Sequence, residues 1–317
     1  MHPLSRIAPP LAAFAALAAC QSSAPVTPSL ADYRLIDLTS AYTRLYDATE
    51  GQPDDQRVET LQTGLAAQFP QFYRPRPPTT EAGFTKRIRT SLKGFPALRP
   101  NYERVAHDFA ATIDTAIATF RQSLPDLAPL GDVYLLHSLD EMDGGTRTID
   151  GVRYFIFGAD VIARIHSPGS EQPFFHHELF HIYHQQTFAG CNEMWCSLWF
   201  EGLADRAAFE LNPGATDAQM MLNLPVPIRA PVDANFTEAV CAVLARFEST
   251  SADDYSALFS FRRLSPRLPP RFGYYIGLRV ADEARRTHGL AELAHLTVDQ
   301  ARPVVATALA ALATCPG

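Results

Sequence analysis

The chain has no block of basic residues. Its 27 lysines and arginines are scattered among 34 acidic residues, for a formal charge of −7. Phosphate backbones are gripped by clustered positive charge, so nucleic acid is excluded as a partner. Cysteine is scarce, five in 317 residues, and no C-x-x-C pair occurs. That removes the usual frame of a separate structural zinc site. Beyond the N-terminal region no apolar run reaches bilayer-spanning length, the C-terminal stretch from Val304 to Ala313 falling well short. No internal repeat of useful period occurs. Apolar side chains are plentiful: at 47% hydrophobic residues the chain can bury a large core, in one domain or two smaller ones.

Arg6 is the sole charge before the apolar run Leu11 to Ala19, which ends at Cys20. The run is too short for a membrane span and reads as a secretory signal. Leu17-Ala18-Ala19-Cys20 resembles a bacterial lipobox, which implies that Cys20 becomes the lipidated first residue of the mature protein. Ordinary signal cleavage leaving a free thiol is the plainer alternative. Gln21, where an aspartate would signal otherwise, resembles lipoproteins sent to the outer membrane of a Gram-negative cell. The expectation is a cell-envelope lipoprotein facing the periplasm, with Cys20 as its membrane anchor. Loss of residues 1–19 removes Arg6 and leaves 298 residues at a formal charge of −8.

Residues 20–30 form a polar tether without hydrophobic period. Residues 31–128 read as a helical N-terminal subdomain. Leu35, Leu38, Tyr42 and Leu45 recur at three and four, as do Val105, Phe109, Ile113 and Ile117. Prolines 75, 77 and 78 punctuate it. From Gly131 the period changes. Val133 to Leu136 predicts a buried strand, and Asp150-Gly151, between Thr148-Ile149 and Val152 to Ile156, predicts a hairpin. Further helices are expected at about 233–247, 253–261, 273–286 and 303–312, the last with Pro303 at its start. The fold class expected is α+β, mostly helical, with a small sheet packed against a helix that carries the chemistry below.

That chemistry begins at His177-Glu178-Leu179-Phe180-His181, the pattern H-E-x-x-H. On a helix, His177 and His181 lie one turn apart on one face and can converge on one metal ion. Glu178, rotated about 100° away, sits where it can take a proton from a metal-bound water. A catalytic zinc needs a third protein ligand and an open fourth position. Glu201 follows twenty residues after His181, and Asp205 one turn later can accept the distal N–H of a ligand histidine. His184 shares the histidine face but lies about 10 Å from His177 along the axis, which makes it a packing residue or a support to a ligand; His176 faces elsewhere and caps or packs.

H-E-x-x-H followed by Glu201-x-x-x-Asp205 resembles the gluzincins, the thermolysin-like clan of zinc peptidases, over about thirty residues. The metzincin continuation is absent, since His184 and Thr187 occupy its glycine and third-histidine places. The Glu201-Gly202-Leu203-Ala204 form, with Pro270 to Gly277 downstream, is similar to bacterial zinc-protease lipoproteins related to the gliding-motility lipoprotein B family. The resemblance implies a zincin-like metallopeptidase domain over residues 129–317. It implies one Zn²⁺ per chain held by His177, His181 and Glu201, with Glu178 as general base and a peptide or protein as substrate. It also implies an oxyanion donor from a later helix, Tyr275 or Tyr274, with His288 a weaker choice. By the same resemblance an edge strand near Tyr154 to Asp160 flanks the cleft. A non-catalytic zinc-binding envelope module is the alternative from a different class, and hydrolysis of another amide or ester is chemically allowed.

With Cys20 lipidated, Cys191, Cys196, Cys241 and Cys315 remain, and an oxidising periplasm allows two disulfides. Cys191–Cys196 is the favoured pair, since it would brace the connector between His181 and Glu201.

Overall fold

The structure is a computed structural model and describes residues 33–166 and 171–315. Cys20, the apolar run before it and the tether lie outside the described residues. Among the described residues no helix is long and apolar enough to cross a membrane.

The fold is α+β and mainly helical, with one four-stranded mixed sheet. Strand β1 (Tyr33–Asp37) pairs parallel to β2 (Gly131–Leu136), and β2 pairs parallel to β4 (Val152–Gly158). Strand β3 (Thr146–Ile149) closes the order β1-β2-β4-β3 as an antiparallel edge. The β3–β4 hairpin is where the sequence places it. Asp150 and Gly151 both take positive φ, 52° and 78°, the backbone twist that a two-residue turn between paired strands requires.

The segment Tyr33–Asp37 departs from expectation: it is a strand, although the spacing of Leu35, Leu38 and Tyr42 suggests a helix. Pairing along β2, with Leu35 opposite Val133, outweighs the local period. Helices α1 (Thr39–Ala48) and α2 (Asp54–Gln68) follow, then α3 (Glu81–Ser123), which buries Val105, Phe109, Ile113 and Ile117 as its period predicts. Short helix α4 (Ala159–Ile165) leaves β4 directly.

Helix α5 (Glu171–His184) carries H-E-x-x-H and packs against α3 and α6 (Met194–Leu211). The C-terminal half adds α7 (Arg229–Ala234), α8 (Phe236–Leu244), α9 (Ala252–Phe259), α10 (Phe272–Ala284), α11 (Leu290–Ala294) and α12 (Val298–Leu312). Asn235 breaks the stretch expected as one helix at 233–247 into α7 and α8. Helix α12 starts earlier than Pro303. Thr297 caps it, its hydroxyl accepting from the Gln300 N–H while the Gln300 side chain accepts from the Thr297 N–H. Pro303 therefore lies inside the helix.

The α6–α10 crossing fixes the far wall of the cleft. A Cβ on Gly202 would stand 2.1 Å from the Gly277 carbonyl carbon, so only glycine admits this approach. The crossing brings Glu201, next to Gly202, into the same cleft as Tyr274, three residues before Gly277.

Candidate metal centre

Helix α5 presents His177 and His181 one turn apart, and α6 lays Glu201 against them. His177 Nε2 and His181 Nε2 are 2.9 Å apart, and Glu201 Oε2 is 3.3 Å from the first and 3.4 Å from the second. Zinc bonds of about 2.0–2.2 Å place neighbouring donors of a tetrahedral site about 3.3 Å apart. The two separations to Glu201 match that edge and the one between the histidines is shorter, so the three atoms face one common point that could hold an ion. Behind them, His177 Nδ1 donates to Asp205 Oδ1 at 2.9 Å, which fixes the tautomer that leaves Nε2 free to bind.

Burial works against charge on His177, but Asp205 and Glu201 outweigh it and raise the imidazole well above its ordinary value. Burial would raise Glu201, yet the His181 and His177 rings hold its carboxyl far below the usual carboxylate range. Both shifts say that a positive charge is favoured among these three atoms, whether a proton on a ring or a metal ion. Phe200 stacks on His181 at 4.1 Å and 13°, which fixes that ring in place of a polar partner. Its Nδ1 is buried without a hydrogen bond, as is Asp205 Oδ2.

Glu178 lies beside the donors in a cavity of about 320 Å³. Burial pushes its carboxyl up from the ordinary value, against the pull of His181 and His177. No hydrogen bond to this carboxylate is made among the described residues. Gly145, at φ 123°, passes so close that a Cβ there would stand 3.2 Å from Glu178 Oε2. The sequence analysis did not single out Gly145, and its only sequence signal is the Gly144-Gly145 pair before a strand.

Of the expected tyrosines, Tyr274 lines the cavity and Tyr275 does not. The buried Tyr275 donates its hydroxyl to Asp233 at 2.8 Å, because successive helical residues point about 100° apart. His288 packs its Nδ1 beside Thr287 Oγ1 and the Ala284 carbonyl, outside this cavity. Arg271 holds Tyr274: its guanidinium sits 4.6 Å over the ring and donates to the carbonyls of Met221 and Leu224, both at 3.1 Å.

The flanking strand also differs from expectation. Tyr154 to Gly158 belong to β4, whose two sides are taken by β2 and β3, and 159–165 is helical. The free edge beside the cavity is β3, with Thr146 and Arg147 on its wall.

The other two histidines of α5 are packing residues. His184 is fully buried between Phe188 and Phe200. His176 donates to the Ala116 carbonyl and accepts from Asn212. Burial lowers its imidazole to about 4. Cys191 and Cys196 lie at disulfide distance, as do Cys241 and Cys315, with Cα separations of 6.0 Å and 5.6 Å. The first pair spans the connector between α5 and α6, and the second ties α8 to the chain after α12. No family model, curated protein or solved structure matches this chain.

Proposed function

We propose that this protein is a zinc-dependent peptidase of the zincin-like, gluzincin type, anchored to the cell envelope through lipidated Cys20. The observation that carries the reading is the convergence of His177 Nε2, His181 Nε2 and Glu201 Oε2 to within 3.4 Å of one another, with the Glu178 carboxylate lining the same cavity. Bound by those three atoms, zinc would supply a readily deprotonated water and a Lewis acid for the scissile carbonyl. Asp205 keeps the proton on His177 Nδ1 throughout. Glu178, raised by burial, is suited to take the water proton and to pass it to the leaving amine. The free edge of β3 offers backbone N–H and C=O groups to an extended chain. Tyr274, which lines the same cavity, would donate its hydroxyl to the developing oxyanion.

The test is zinc content together with the Glu178→Gln variant on a broad peptide library. Wild type should carry one zinc per chain and cleave. The variant should keep zinc and lose cleavage, since an amide cannot act as the base. Zinc-loaded wild type that cleaves nothing, with Glu178→Gln rescuing a deletion strain, would instead establish a binding module. Intact mass of membrane-extracted protein tests the anchor, and a mature chain without lipid on Cys20 would remove it.

A further inference from the structure

The cavity over the three donors does not end at them. A second cavity of about 500 Å³ shares Thr146, Gln185, Phe200 and Glu201 with it, so the two form one groove. The new arm runs along β3 away from Tyr274 and ends at the Cys191–Cys196 loop. Phe188 and Tyr255 form apolar walls, and the hydroxyl residues Thr148 and Ser197 line it.

Two charged residues line this arm, Glu201 and Arg153. Glu201 is committed to both histidines. Arg153 is exposed and is opposite Thr148 across the β3–β4 ladder, so it stands on the same sheet face as Thr148 and Thr146. Its guanidinium reaches the end of α5 and donates to Gln185 Oε1 at 3.4 Å. No carboxylate lies within ion-pair distance of it among the described residues, whereas most of the described arginines have one, Arg74, Arg76 and Arg147 nearby among them. Of the acidic groups lining the adjoining cavity, Glu178 is 9% exposed and Asp205 3%, Glu201 faces the two histidines, and the more exposed Asp143 is paired with His166. A chain lying along the rim of this arm meets a cation and hydroxyls, not those carboxylates.

Resting on the peptidase reading, we propose that Arg153 is a specificity-determining residue and that this arm receives a carboxylate of the substrate. The two sources of that group are an acidic side chain and the free C-terminus of the chain. A guanidinium pairs with either through two parallel N–H···O bonds, and the loop closed by Cys191–Cys196 limits how far the chain continues.

The experiment uses zinc-loaded full chain carrying Glu178→Gln, so that binding is read without turnover. The probes are fluorescein-labelled pentapeptides in four forms, with Glu or Gln inside and with a free or amidated C-terminus. Anisotropy should give the acidic form about 10-fold tighter binding than its neutral counterpart, one tenfold step being an ordinary charged hydrogen bond. The Glu/Gln pair and the acid/amide pair show which source is used. In Arg153→Glu the preference should fall to unity or invert, and Arg153→Lys should keep part of it. Equal binding of all four forms, absence of binding, or a preference that Arg153→Glu leaves intact would overturn the proposal. Cleavage by wild type without charge preference sinks this assignment alone. Charge-dependent binding with no cleavage sinks the peptidase reading alone.

Discussion

His137 and His177 both present Nδ1 to a buried aspartate, Asp160 at 3.4 Å and Asp205 at 2.9 Å. Around His137 the atoms are spoken for. The Leu139 N–H donates into Nδ1 at 3.2 Å, so the ring proton is on Nε2 and goes to Ser91 Oγ at 3.1 Å. Asp160 accepts from the Ser138 N–H at 2.6 Å and the Asp140 N–H at 2.8 Å. It thereby holds Leu139 and Asp140 at positive φ, 54° and 68°, a conformation that non-glycine residues adopt only under constraint. Ser91, His137 and Asp160 share the composition of a hydrolytic triad, yet the imidazole is in the wrong tautomer to take the serine proton. Around His177 the balance is reversed. Its Nδ1 is satisfied, but three donor atoms face one another across the cleft and two buried polar atoms nearby have no partner. The first cluster is closed by its own hydrogen bonds, whereas the second brings together three atoms that could hold a metal ion.

The sharpest way to break this contrast is to exchange the roles by mutation. Glu201→Ala should reduce zinc from one per chain to near zero by elemental analysis, while the fold persists by circular dichroism. Full zinc occupancy in this variant would refute the ligand set. Next in size, Glu178→Gln should lower peptide hydrolysis by about 10²- to 10⁴-fold with zinc retained. Asp160→Ala belongs to the other cluster and should behave oppositely. Stranding two backbone N–H groups costs about 2–6 kcal/mol, readable in urea unfolding, with zinc content unchanged. Asp205→Ala should weaken zinc affinity or activity by about 10- to 100-fold through the freed His177 ring. If Asp160→Ala depleted zinc and Asp205→Ala did not, the two clusters would have been assigned the wrong way round.

The same contrast explains what was legible in the sequence. His177 and His181 are spaced by helical geometry that a linear pattern encodes, as are Glu201 and Asp205 on the next helix, while the pairing of the two helices was legible only through the resemblance. The β3–β4 hairpin was legible because Asp-Gly selects its turn chemistry locally. The strand Tyr33–Asp37 was not, because its partner lies about a hundred residues away. Nor were the Tyr274 and Tyr275 roles. A rotation of one residue about α10 decides which hydroxyl meets the cleft, and that rotation is set by the Gly202–Gly277 contact. The tautomer of His137 depends on a backbone N–H two residues on, which no side-chain pattern records.

The smallest effect expected is in the pH dependence of stability. Burial lowers the His137 imidazole below its ordinary 6.5, against the pull of Asp160 and with that of Arg164. Above pH 6.5 the ring is neutral whether the chain is folded or not, and the cluster contributes fully. As pH falls below 6.5 the unfolded chain takes up the proton first, so stability is lost progressively until the folded value is reached. One such group contributes a slope of at most about 1.4 kcal/mol per pH unit. His137→Gln removes the titration, so its unfolding free energy should fall less steeply than wild type between pH 6.5 and 5. Parallel profiles would mean that His137 titrates alike in both states, and the full satisfaction ascribed to its cluster would then be wrong.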